Sequence, residues 1–174
     1  MKIEYFQGDL FALESSLEES VLIPHICNDQ KVWGKGFVVP LANQYPITRK
    51  VYLDWCKETY DRFDELIVPC GDFSLGNNQF IRVTNNKIVV NMLAQTLGGT
   101  RPLYYDKLVQ CMNNIAEFMN VQSFRIVCPM FGSGLAKGDW NIIKELIQDC
   151  WIRENIPVTV CYFEENLPQN LKLS

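Results

Sequence analysis

The sequence predicts an α/β fold: a three-layer α/β/α sandwich around a central mixed sheet. Three observations lead there. Strand-like apolar runs alternate with helix-period segments along most of the chain. Two adjacent strand-like runs near the middle are joined by Asn85-Asn86, which inserts a hairpin into an otherwise βα pattern. Two glycine-bearing loops, far apart in the chain, each follow a strand-like run and lead into a helix-like run.

Taken in order, residues 2–6 form a short first strand, and Gly8-Asp9-Leu10-Phe11 follows as a turn. Residues 21–27 form an apolar, buried strand. After the first glycine loop, residues 37–43 are apolar at most positions and read as a helix. Pro46 starts the next helix, in which Val51, Tyr52, Trp55, Cys56 and Thr59 recur at helical spacing. Residues 66–70 form a strand that stops at Gly71-Asp72. Residues 79–83 and 87–93 are the hairpin. From 102 to 119 the apolar positions keep helical period. Residues 124–128 form another strand. Residues 139–153 are the clearest amphipathic helix, with Ile142, Ile143, Leu146, Ile147, Cys150 and Trp151 on one face. Residues 157–163 close the sheet, and a polar tail over about 165–174 is irregular. With no internal repeat and no long linker, residues 1–174 read as a single domain.

Bulk composition narrows the function classes. At 174 residues, folding buries roughly 70% of the unfolded chain's surface, so a core forms without disulfides or metals. No run of 18 apolar residues predicts a transmembrane helix, and the N-terminal residues lack a signal-peptide pattern. The net charge of −4 argues against nonspecific nucleic-acid binding, which normally needs a basic face. It leaves room for a small anionic ligand. The seven cysteines are an odd number, and most lie within apolar runs. They read as buried thiols of a reducing compartment, hence a cytoplasmic protein, or one in the host-cell cytoplasm if viral. No C-x-x-C pair occurs and His25 is the sole histidine, so neither a metal site nor a cofactor is expected.

The chemistry concentrates in the two loops. The first is Asn28-Asp29-Gln30-Lys31-Val32-Trp33-Gly34-Lys35-Gly36-Phe37; its glycines permit positive φ and close approach to a ligand, or serve only as turn residues. The second is Phe131-Gly132-Ser133-Gly134-Leu135-Ala136-Lys137-Gly138-Asp139-Trp140, in which consecutive small residues form a nest of backbone N–H groups. Facing one cleft, the loops would hold a diphosphate from both sides. The second loop is not G-x-S-x-G, so a serine-hydrolase elbow is not supported. Asp9 can accept a hydrogen bond from a purine amino group or simply close its turn. Asp139 either caps the following helix or faces the cleft. His25 and Cys27 share a strand face; they form either a nucleophilic pair or a histidine beside a buried thiol.

These segments together resemble the macro domain family, the ADP-ribose-binding module. Gly8-Asp9-Leu10-Phe11 resembles the family's G-D-[IL] turn, His25-Ile26-Cys27-Asn28 through Trp33-Gly34-Lys35-Gly36 its first substrate loop, and Phe131 to Trp140 its second. Trp33-Gly34-x-Gly36 and Asn91-Met92-Leu93-Ala94-Gln95 are most similar to the yeast-type ADP-ribose 1″-phosphate phosphatases and related bacterial and phage proteins. The resemblance implies that Asp9 binds the adenine amino group beside Gly8 and the Leu10 amide. Ile26, Cys27, Asn28, Trp33, Gly34, Lys35, Gly36, Phe37 and Val38 would line the distal ribose and its phosphate. Gly132, Ser133, Gly134, Leu135, Ala136, Lys137 and Gly138 would wrap the diphosphate, and Phe163, or Tyr162, would stack on adenine. A branch that removes ADP-ribose from glutamate uses a lysine and an aspartate where this chain has Ala94-Gln95-Thr96 and Leu135-Ala136-Lys137, so that covalent mechanism is not expected.

The implied ligand is an ADP-ribose-containing small molecule or an ADP-ribosylated macromolecule. Two functions remain open. One is hydrolysis at C1″ of the distal ribose, with Asn28 orienting the sugar and His25 or Asp139 moving the proton. The other is binding without turnover. Lys35 and Lys137 stand where small neutral residues are common in the family; facing the cleft, they would favour a more anionic ligand, and otherwise they point to solvent.

Overall fold

The computed structural model describes residues 1–57 and 67–167. Thr59, Leu66 and residues 168–174, each part of an expected element, lie outside the described residues. A seven-stranded mixed sheet carries the fold, in the order β1-β7-β6-β2-β5-β4-β3. The strands are β1 (Glu4–Gln7), β2 (Val21–Asn28), β3 (Ile67–Cys70), β4 (Asn78–Thr84), β5 (Lys87–Gln95), β6 (Arg125–Pro129) and β7 (Val158–Tyr162). The pairs β1–β7, β7–β6, β6–β2 and β2–β5 are parallel. The expected hairpin is β4–β5, and β3 adds antiparallel to its edge.

β2 and β5 are buried along almost their whole length, which is why they read as continuous apolar runs rather than alternating ones. Alternate residues feed two cores. On one face Leu22, Val90, Met92 and Ile126 pack under α4 (Tyr105–Met119) and α5 (Trp140–Ile147). On the other, Val21, Ile23, Val89 and Val127 meet α1 (Leu10–Ser16) and α2 (Val38–Gln44), while Cys27 and Leu93 meet α3 (Ile47–Cys56).

Three elements differ from the sequence reading. Gly8-Asp9-Leu10-Phe11 is a turn only as far as Asp9, which caps α1 by accepting from the Ala12 N–H at 3.0 Å. The apolar pattern hid this helix because a buried polar residue, Glu14, takes a core-facing position. Lys87 Nζ pairs with its Oε2 at 2.5 Å and the Tyr45 hydroxyl donates to its Oε1 at 2.6 Å. α4 starts at Tyr105 rather than 102, because residues 102–104 run beside the end of β5. Thr96 N donates to Pro102 O and Tyr104 N to Ala94 O there. The helix expected over 139–153 is α5 followed by a π-helical turn at Gln148–Ile152. Ile142 lies on its solvent side, 44% exposed, while Trp140 takes the buried place. No helix among the described residues is long and apolar enough to cross a membrane.

Pairing of β2 with β6 ends at Leu22, whereas β2 follows β5 to its end. Pro24, with no N–H to donate, falls just beyond that point. The two parallel strands therefore splay at their carboxyl ends. The chain leaves this point in opposite directions across the sheet, which is where open α/β sheets make a ligand crevice.

Candidate ligand cleft

A cleft of about 1150 Å³ occupies that crevice. Of the residues expected to bind, every one borders it except Gly138. Asp139 lies outside it: exposed, it caps α5 by accepting from Asn141 N at 2.9 Å, and its own N–H donates to the Tyr105 hydroxyl.

The first loop is organised by Asn28. Its Oδ1 accepts from Gln30 N (3.0 Å), Val32 N (3.1 Å) and the Tyr52 hydroxyl, and its Nδ2 donates to Val32 O. One Nδ2 hydrogen is left for a ligand. Lys31 takes φ 64° and Gly36 φ 75° in the resulting turn, and Trp33 Nε1 pins its far side to Val38 O at 2.9 Å. Among the described residues, no hydrogen bond engages the N–H groups of Gly34, Lys35 or Gly36.

The second loop closes on itself. Lys137 N donates to Gly134 O, Gly138 N to Gly132 O, and Ser133 Oγ to Met130 O. Gly132 has φ 78°, and a Cβ there would stand 3.0–3.1 Å from Ile143, Ile26 and Leu103. Gly138 is turned inward, where a Cβ would meet Leu103 and the Gly132 carbonyl oxygen. It is therefore a packing residue beneath the loop rather than part of its wall. The N–H groups of Ser133, Gly134, Leu135 and Ala136 have no partner among the described residues. The loops do face each other: Leu135 Cδ1 would be 3.3 Å from a Cβ on Gly36. Two walls of unengaged amide donors thus flank one cavity, the arrangement that suits a diphosphate.

At one end Asp9 borders the cleft, with Oδ2 on the Ala12 N–H and Oδ1 outside that bond. Phe163, 45% exposed, and Tyr162 border it too. A third loop, Gln95 with Leu97, Gly98 and Gly99, forms another wall that sequence reasoning missed. Its signal was the same one used for the other two, glycines in the loop that follows a strand, and Gly98 and Gly99 both have positive φ.

His25 borders the cleft floor but is only 1% exposed. Burial lowers its pKa to about 4, against the opposing pull of its hydrogen bond to Asn91 and of the Ile26 backbone. The ring is therefore neutral near pH 7. Cys27 Sγ lies 3.9–4.0 Å from the ring nitrogens, and burial pushes its thiol well above the usual range. Burial penalises both charged partners of a thiolate–imidazolium pair, so the environment favours a neutral thiol beside a neutral imidazole. The six described cysteines are all free.

No family model matches the sequence. A macrodomain protein from Streptomyces coelicolor is 31% identical, and the match covers 92% of this chain and 99% of that one at a TM-score of 0.75. Thermosipho africanus DarTG, solved in complex with ADP-ribose, shares the fold at 17% identity and a TM-score of 0.73, over all of this chain and 45% of that one. An ADP-ribose 1″-phosphate phosphatase of Meyerozyma guilliermondii is 39% identical over 57 residues, 33% of this chain and 31% of the relative. The match thus spans about a third of that curated relative's length.

Proposed function

Because the chain belongs to the macro domain family, an ADP-ribose-binding family, we propose that its cleft binds an ADP-ribose-containing ligand and hydrolyses the bond at C1″ of the distal ribose. The observation that carries the binding is the pair of facing loops with unengaged backbone N–H groups at the splay of β2 and β6. In this reading Asp9 Oδ1 accepts from the adenine amino group and Phe163 stacks on the ring. Ser133, Gly134, Leu135 and Ala136 donate to the diphosphate. The remaining Asn28 amide hydrogen and the Gly34–Gly36 turn hold the distal ribose.

Hydrolysis is supported by the name of the yeast relative and by His25 on the cleft floor. With ADP-ribose 1″-phosphate, water adds at phosphorus and the bond to the C1″ oxygen breaks, leaving ADP-ribose and inorganic phosphate. The neutral imidazole is the group available to accept the water proton. Developing charge would fall to the loop amides, each well-placed donor worth roughly 3–4 kcal/mol in such sites. In an ADP-ribosylated protein the bond to the same C1″ oxygen would be cut, water adding at the acyl carbon of the ester and leaving ADP-ribose and the free carboxylate.

Binding without turnover is the second reading. It is favoured by the burial of His25 and by the place of Asp139 outside the cleft. Calorimetry with ADP-ribose tests the shared premise, and phosphate release from ADP-ribose 1″-phosphate separates the two. Binding with release supports the enzyme; binding with the ligand recovered intact supports the binder; no heat with either ligand sinks both.

A further inference from the structure

His25, Asn91 and Gln79 stand side by side on three neighbouring strands, β2, β5 and β4, in direct register. All three are buried to within 1% of full enclosure. Their side chains form one chain of hydrogen bonds whose direction is set at its far end. Gln79 Nε2 donates to the Val51 carbonyl of α3 at 3.0 Å. A backbone carbonyl can only accept, so the Gln79 amide is held with Oε1 toward Asn91. Asn91 Nδ2 then donates to that oxygen at 3.0 Å and also reaches the Thr48 carbonyl at 3.4 Å. Both neighbours are acceptors, so Asn91 is oriented in turn and presents Oδ1 to His25 Nε2 at 2.5 Å. Oδ1 has no proton to give.

We propose that Gln79 and Asn91 are positioning residues that hold the His25 ring as its Nε2–H tautomer and so reserve the Nδ1 lone pair as the ring's proton acceptor. Rotating either amide would set donor against donor in a dry interior, where an unmet donor has no water to turn to. The helix that anchors the relay also anchors the first loop, since Tyr52, one residue after Val51, donates to the Asn28 carbonyl at 2.5 Å. α3 therefore ties the ring's tautomer and the loop's shape to one rigid element. The part played by Nδ1 in turnover rests on the hydrolytic reading above; the tautomer itself does not.

His25 is the sole histidine, so long-range proton–nitrogen correlation spectra of the uniformly ¹⁵N-labelled, ligand-free protein at pH 7 report its tautomer without assignment. The expected spectrum has hydrogen on Nε2 and an unprotonated Nδ1. A proton on Nδ1 instead overturns the proposal. Gln79→Leu frees Asn91 to rotate and should bring the Nδ1–H form to at least a tenth of the population. Gln79→Glu, which restores an oxygen toward Asn91, should return it to the wild-type spectrum. An unchanged tautomer in Gln79→Leu overturns the relay. If that variant does not fold, Asn91→Asp decides: a carboxylate facing the ring can only accept, so hydrogen should stay on Nε2, and a bare Nε2 overturns the arrangement. Failure to bind ADP-ribose would sink the function reading and leave these spectra unaffected.

Discussion

Lowering the pH from 7 to 4 protonates His25 in the unfolded chain before it does so in the folded one. The unfolded ring titrates near 6.5, and burial brings the folded value down to about 4. Between those values the unfolded state binds more protons, so stability falls as the pH falls. The contribution is fully present above about pH 6.5 and lost on the way down to 4. A gap of about 2.5 units corresponds to a loss of about 2 kcal/mol by pH 5 and about 3 kcal/mol by pH 4. Carboxylates also titrate in this window, so the effect is read as a difference. Urea unfolding of the wild type and of His25→Gln, which keeps an amide donor toward Asn91, is followed at pH 7, 6, 5 and 4. The two stability curves should converge by about 3 kcal/mol towards pH 4, the wild type losing more. Parallel curves would mean that the folded ring takes up its proton as readily as the unfolded one, and the burial argument would fail.

Three further outcomes follow from particular residues. Asp9→Ala should cost about 1 kcal/mol in urea unfolding through the lost cap of α1 and weaken ADP-ribose binding, whereas Asp9→Ser should keep most of the stability and still lose affinity; equal affinity in wild type and Ser would remove Asp9 from adenine recognition. Lys87→Met leaves the buried Glu14 carboxylate unpaired and should cost about 3–5 kcal/mol, most of it recovered when Glu14→Leu is added; a loss unchanged in the double variant would show that the ion pair is not its source. Replacing Lys35 and Lys137 together by alanine should weaken ADP-ribose 1″-phosphate more than ADP-ribose in calorimetry, and equal losses would count against their selecting the extra phosphate.

Much of the architecture was legible because its signals are local. β2 and β5 announce themselves as unbroken apolar runs, the β4–β5 hairpin by Asn85-Asn86, and two of the cleft walls by glycines in the loops that follow strands. α1 was not legible, because Glu14 breaks its apolar stripe. Only the fold brings it Lys87 from β5 and Tyr45 from beyond α2. Nor could the change of helix type within the segment after Asp139 be read, where an α-helix gives way to a π turn without a proline or glycine to mark it.

The alternating α/β plan, the order of its loops and the residue types of the cleft wall can be read along the chain, because strand and helix periods and glycine turns are written over short windows. Tertiary structure alone decided the state of His25. Its neighbours in the relay come from positions 79 and 91 and from the carbonyls of residues 48 and 51. They meet through the register of three strands and the seat of one helix. A pKa and a tautomer depend on what surrounds a ring in space, and no spacing along the chain records that.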